Sequence, residues 1–180
     1  VMHEQIARFH IFSGHVLCEA DPSEFDAFQN TEQLRKVLQS LREMYDDLRL
    51  VDWAGEDEFR GYYIMTHLQD PTIFKTALEF PDTIKQTKRV KFALEAAASF
   101  HHGDYVKYGQ LLAKGDYLHA SLLHTHLSAV RFRALETMSK AYQIGQSVFH
   151  ITEIVRLLSF QSVDECLDFL TSHEVAVSVE

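Results

Sequence analysis

Helix breakers are scarce in this chain: three prolines and seven glycines stand among 180 residues. So small a supply excludes collagen-like and loop-dominated architectures. Only two cysteines occur, Cys18 and Cys166, far apart and without CxxC-type spacing. A disulfide framework and a zinc knuckle are thereby disfavoured, and a reducing compartment is the default. Cations are in deficit too: 17 Lys and Arg face 26 Asp and Glu, a formal charge of −9 with His neutral. Such a surface repels phosphate backbones on average and leaves any nucleic-acid contact to a local patch. No apolar run approaches the roughly 20 residues that span a bilayer, and no basic start leads into an apolar signal segment. The expectation is a soluble chain without a visible address and without membrane insertion.

Catalytic signatures are also missing. No GxSxG, HExxH, Walker or GxGxxG pattern occurs, so no recognised motif points to catalysis, a cofactor or a small-molecule substrate. The eleven histidines invite a metal hypothesis, but spacing opposes it. On one helix His119 and His126 would share a face about 10 Å apart, too far for one ion held at about 2 Å, and His124 points elsewhere. His101 and His102 diverge by about a third of a turn. Solvent-facing or packed helical histidines are the plainer reading. An enzyme or metalloprotein of unfamiliar helical type remains the competing class, and metal analysis of purified protein discriminates it.

What is present is apolar: 46% hydrophobic residues, with 13 Phe and 7 Tyr. They recur at spacings of three and four, which predicts one folded, mostly α unit. A first helix is expected from about His3 to Glu19, with Ile6, Phe9, Phe12 and Val16 on one side, ending ahead of Asp21-Pro22. Asn30 and Gln33 form a capping-box pattern before the stripe Leu34, Val37, Leu38, Leu41, Met44, Tyr45 and Leu48. A third helix covers Asp57 to about His67, Asp70-Pro71 opens a short fourth with proline in its first turn, and Asp82 caps a helix holding Phe92, Ala93, Ala96, Ala97 and Phe100. The alanines let a neighbouring helix approach closely.

Gly103-Asp104-Tyr105 and Gly115-Asp116-Tyr117 then recur twelve residues apart. Each offers a glycine for a left-handed helix end and an aspartate for the next N-cap, predicting two tight helix-helix corners. Short helices turned this way stack, and the middle of the chain reads as a degenerate α-solenoid of tetratricopeptide (TPR) kind. A break near Ser128 starts a helix holding Val130, Ala134, Leu135, Met138 and Tyr142, which Gly145 ends. There follow a β-prone piece (Val148 to Ile151), a helix from Thr152, a second led by Ser162 with Glu165 at the capping-box position, and a final strand, Val175 to Val179. Helix, strand, helix, helix, strand is the order of a winged helix lacking its last strand. A TPR-like stack (1–128) followed by a truncated winged-helix module (129–180) is a PCI architecture. Both ends read as cut from a longer protein.

The blocks Arg8 to Arg49, Glu58 to Met65, Tyr117 to Tyr142 and Leu157 to Ser178 resemble, in order, those of the GANP-type family, germinal-centre-associated nuclear protein and its yeast counterpart. Asn30 with Tyr45-Asp46-Asp47, followed by Glu58-Phe59-Arg60, carries most of the specificity. The resemblance implies a non-enzymatic PCI scaffold of the nuclear transcription-and-export complex 2, near nuclear pores. It implies pairing with a second PCI subunit, itself bound by a small acidic DSS-type protein, and a nucleic-acid surface, for RNA or DNA, shared by the two winged helices. Some relatives are thought to act at centrosomes or spindles, the alternative setting. In this family the winged helix continues into a wing beyond the present C-terminus.

Two sets of residues are candidates for contact. Lys85, Lys88, Arg89 and Lys91 form a run without an acid, the first three at helical spacing i, i+3, i+4. A phosphate-binding face and an ordinary solvated face both fit that run. Arg131, Arg133 and Lys140, on the helix leading into the terminal module, extend it, unless Arg131 or Arg133 pairs with nearby acids such as Glu136. The second helix of the terminal module carries Asp164, Glu165 and Asp168 and no cation, so direct base reading by it is disfavoured and a protein contact is expected. Leu167, Phe169 and Leu170 are then divided between core and joint, all-core being the competing reading, and Phe149, Ile151 and Val177 join the partner surface.

Overall fold

The computed structural model describes residues 2–48, 53–141 and 150–175, and all regular structure among them is helical. In order these helices are α1 (Met2–Val16), α2 (Ala27–Asp47), α3 (Glu56–Thr66), α4 (Ile73–Leu78), α5 (Asp82–Lys85), α6 (Lys88–His102), α7 (Tyr105–Lys114), α8 (Tyr117–His124), α9 (Leu127–Ala141), α10 (Ile151–Leu157) and α11 (Val163–Ser172). The mostly-α class follows from the period of the apolar residues. On α2, Leu34, Leu38, Leu41 and Tyr45 are buried at successive turns, with Val37 and Met44 partly so.

Helix α1 packs on α2 and α2 on α3, α5 packs on α6, α6 on α7, α7 on α8 and α10 on α11, while α3 lies along α6 and α8 meets both α1 and α3. The α3–α6 approach is close because its surfaces are small: a Cβ on Gly61 would stand 3.4 Å from the Arg89 carbonyl oxygen and 3.9 Å from the Ala93 methyl. Ala93, Ala96 and Ala97 are fully buried on α6, as close helix packing requires. Polar ties complete the layers. Arg8 donates to both oxygens of Glu58, at 2.8 and 3.0 Å, joining α1 to α3. Burial alone would raise the Glu58 carboxyl, but the Arg8 hydrogen bond and charge, with Tyr62 and Arg89, bring it below the ordinary value.

Several boundaries differ from expectation. The α2 N-cap is Asp26, which accepts from the Gln29 amide at 2.8 Å, so Asn30 lies inside the helix. There its side-chain Oδ1 accepts from the His10 ring Nδ1 at 2.8 Å and its Nδ2 donates to the His10 carbonyl at 3.0 Å, tying α2 to α1. Pro71 precedes α4 rather than opening it. Asp70 instead accepts from the Thr72 amide and hydroxyl in the turn before the helix. The helix expected from Asp82 is two, because Thr87 takes an extended backbone, accepts from the Val90 amide and starts α6.

Both Gly-Asp-Tyr corners form, with Asp104 and Asp116 capping the amides of Lys107 and His119 at 2.9 and 3.0 Å. Gly103 is left-handed (φ 70°) as predicted, whereas Gly115 is extended (φ −62°, ψ 152°). Glycine serves a different need at the second corner: a Cβ there would lie 3.1 Å from the His119 Cβ and 3.3 Å from Phe92. The break before α9 falls at Thr125–His126, and Ser128 is already helical. Near the C-terminus Ile151 opens α10 instead of ending a strand. Val148, Phe149, Gly145 and the residues after Val175 lie outside the described residues.

His126 fastens this break to α3. Its ring Nε2 lies 3.0 Å from the Met65 carbonyl oxygen, so that nitrogen carries the proton and Nδ1 is left as a buried acceptor with no partner among the described residues. Burial lowers its pKa from 6.5 to about 4. The unfolded chain therefore takes up a proton near pH 6.5 that the folded chain refuses until about pH 4. Stability is complete above the upper value and is lost as pH falls through that window, by up to about 3 kcal/mol. Urea unfolding at pH 7 and pH 5 should show this loss, and His126→Gln should remove most of it. An unchanged pH slope in that variant would assign the effect elsewhere, His67 and His124 being lowered by burial as well.

Two apolar clusters divide the interior. The larger runs from Ala7 to Val130, and the smaller gathers Ala134, Met138, Leu158, Phe160, Cys166 and Leu170. Helix α9 crosses from one to the other without a break, and Tyr105 packs against both.

Candidate functional site

The expected basic face is split by the break before α6. Lys85 ends α5, while Lys88, Arg89 and Lys91 occupy the first turn of α6, so the single-helix spacing that linked the first three does not exist. Two of the four cations are matched by acids. Lys85 pairs with Asp82 at 2.8 Å and donates to the Leu78 carbonyl at 3.2 Å, and Arg89 pairs with Asp57 at 3.1 Å. Lys88 and Lys91 are exposed, with no ion pair among the described residues. These two stand three residues apart on the first turn of α6, with the paired Lys85 and Arg89 next to them in the chain.

Arg131 and Arg133 serve the fold. Arg131 is buried, and its Nε donates to the Leu158 carbonyl at 3.0 Å, Nη2 to the Ser159 carbonyl at 2.6 Å, and Nη1 to the Glu165 carboxylate at 2.8 Å. The guanidinium also lies 3.8 Å from the Phe160 ring centroid, a favourable cation–π geometry. Ser159 is held at φ 55°, a left-handed conformation that side chains disfavour, and its carbonyl is one of the three acceptors. Arg133 donates to the last carbonyls of α6, Phe100 at 2.9 Å and His101 at 3.4 Å, where a cation favourably meets the helix dipole. The acid that Arg131 meets is Glu165 rather than Glu136, which pairs with Lys140.

Glu165 holds the terminal module together. The Ser162 hydroxyl accepts from the Glu165 amide at 3.1 Å, as the capping box predicts, and the other Glu165 oxygen accepts from the Gln161 amide at 2.6 Å. Around this frame the candidate partner residues separate. Leu170 is 2% exposed and belongs to the smaller core, while Ile151, Leu167 and Phe169 are half-buried at its margin. Phe149 and Val177 lie outside the described residues.

The margin contains residues that sequence reasoning missed. Phe132 is 49% exposed on α9, its ring 5.3 Å from that of His173, which stacks at 4.3 Å on Phe169. Phe132, Phe169 and His173 thus form one aromatic edge, adjoined by the exposed Val163 and Val175 at the ends of α11. The available signal was the position of Phe132, outside the apolar stripe of its own helix. Among the described residues no group of three or more His, Cys, Asp or Glu is placed to hold a metal ion, and no helix is long and apolar enough to cross a membrane.

The molecule is thus a helical stack joined through α9 to a small capped module, with exposed lysines on the first and an aromatic edge on the second. The SAC3/GANP family model matches residues 1–179. The chain is 35% identical to SAC3 family protein 1 of Schizosaccharomyces pombe over 98% of its length, and 34% identical to Protein xmas of Drosophila melanogaster over 97%. It is also 35% identical to SAC3 family protein B of Arabidopsis thaliana over 81%. This chain belongs to the SAC3/GANP family. It spans 19% of the fission-yeast relative and 9% of the other two.

Proposed function

We propose that this chain is the PCI-type scaffold region of a nuclear mRNA-export subunit, acting by holding partners and not by catalysis. The family match along residues 1–179 carries the reading. In it, residues 1–128 are the helical-repeat part and residues 129–180 the winged-helix part, a division supported by the passage from larger to smaller apolar cluster between Val130 and Ala134. The partner is a second PCI subunit with its small acidic DSS-type protein, and the setting is the nucleus, at the nuclear envelope or nuclear pore.

Partner contact falls to the aromatic edge, Phe132 and Phe169, with Ile151 and Leu167 beside it. Nucleic acid falls to Lys88 and Lys91, with Lys85 and Arg89 adjoining, as one part of a surface shared with the partner. Arg131 and Arg133 are left to the fold. Few phosphates are neutralised by such a patch, so RNA affinity of the isolated chain is weak and falls steeply with salt.

Co-purification with the candidate PCI subunit tests this. Phe132→Asp with Phe169→Asp should abolish pairing while circular dichroism stays helical, and Lys88→Glu with Lys91→Glu should leave pairing intact while lowering RNA affinity of the pair at least tenfold at low salt. A folded wild-type chain that pairs with no PCI subunit would reject the scaffold reading. RNA binding indifferent to the lysine changes would reject the assigned face.

A further inference from the structure

The first helix presents an apolar face to solvent. Met2, Phe9, Phe12 and Val16 are 68%, 64%, 49% and 54% exposed, and at 100° per residue they fall within about a quarter of the helix circumference. Ala7 and Ile11, on the opposite side, supply the buried face. The helix is already fastened laterally: His10 and Gly14 meet Asn30 of α2, and Arg8 meets Glu58 of α3. Tyr117 of α8, itself 52% exposed, continues the stripe, its ring 6.0 Å from that of Phe12. With Gln5 between them, Met2, Phe9, Phe12 and Val16 follow the alternating three- and four-residue steps of a helix-pairing seam.

The stretch of chain that follows this seam carries charge of one sign. From Arg8 to Arg35 the chain contains no lysine or arginine between them, but Glu19, Asp21, Glu24, Asp26 and Glu32 lie there. The first four are exposed and immediately follow the Val16 end of the seam. The Asp21 carboxyl is held below its ordinary value by hydrogen bonds from the Ser23 hydroxyl and amide, so it stays ionised. The two cations that flank this stretch in the sequence are paired, Arg8 with Glu58 and Arg35 with Glu32. A helix seated on this seam would meet these exposed carboxylates at the end that lies over Glu19 to Asp26.

We propose that the outer face of α1, with Tyr117, is a docking site for an amphipathic helix of another protein that carries an apolar seam and lysines or arginines at the end lying over Glu19 to Asp26. The proposal concerns a surface separate from the α9–α11 edge and stands whether or not that edge pairs with a PCI subunit.

The test uses fluorescein-labelled 21-residue helical peptides with leucine at the seam positions and, in the remaining positions of one half, either lysine or glutamate. By fluorescence anisotropy the 180-residue chain should bind the lysine peptide at least tenfold more tightly than the glutamate peptide. Phe9→Ser with Phe12→Ser should weaken that binding at least tenfold, and Glu19→Lys, Asp21→Lys and Glu24→Lys together should reverse the peptide preference. Circular dichroism checks that both variants remain helical. Lysine-peptide binding that survives loss of the two phenylalanines would show mere charge attraction to a −9 chain and overturn the proposal. So would a preference unmoved by the charge reversal, or sedimentation showing a dimer abolished by the same serine changes, which would make the occupant a second copy.

Discussion

Replacing Arg60 by methionine should lower the free energy of unfolding by about 3 kcal/mol, read as a shift in urea midpoint with little change in slope. Arg60 is the largest of the side chains buried to below 2% or so, and it sits where three parts of the stack meet. Its Nε donates to Glu56 at 2.6 Å within α3, and its Nη2 to Asp46 at 2.8 Å on α2. Its guanidinium lies over the rings of Phe80 at 4.6 Å and Tyr45 at 5.9 Å. Methionine fills comparable space but leaves Glu56, whose side chain is only 12% exposed, without this cation. The figure stands at the lower end of what a broken buried pair costs because the Asp46 side chain is 37% exposed and water screens part of its charge. Arg60→Lys should recover only part of the loss, since a single ammonium does not reproduce the two-sided fork. Full recovery by lysine would mean that charge alone matters at this position, and a loss below about 0.5 kcal/mol would mean the pairs contribute nothing net.

Arg131→Met should act locally, raising amide hydrogen exchange across α10 and α11 about thirtyfold to a hundredfold, equivalent to about 2–3 kcal/mol. The buried guanidinium is the principal polar tie between α9 and the α10–α11 corner, giving three hydrogen bonds to Leu158, Ser159 and Glu165. Without it, two carbonyls lose a donor and Ser159 loses part of what holds it at positive φ. The larger cluster does not include this corner, so α2, α3 and α6 should keep their protection. Uniform loss of protection over the whole chain would show that the smaller cluster does not open by itself.

The same arginine shows where reading the chain alone stops. Its neighbours Arg133 and Lys140 made it a candidate phosphate contact, because spacing along one helix is visible in the sequence. That Glu165 folds back to within 2.8 Å of it is a tertiary fact, set by how α10 turns. Local chemistry was far more legible. The aspartates of the two Gly-Asp-Tyr corners and the Ser162 cap work through amides two or three residues away, and each is found as expected. Where two local signals compete, sequence favours the wrong one: Asp26 outbid Asn30 for the start of α2 because its carboxylate reaches the Gln29 amide, and Thr87 interrupted a helix that apolar periodicity would have carried through. The outward face of α1 is another case. Phe9 and Phe12 have the periodicity of a core stripe, and only the positions of α2 and α8 tell that the helix buries Ala7 and Ile11 instead.

The uninterrupted course of α9 has a mechanical consequence. Because one rod is embedded at its Leu127 end in the larger cluster and at its Met138 end in the smaller, and Arg133 pins its middle to the end of α6, a pull on the terminal module is delivered as torque to the whole helical body.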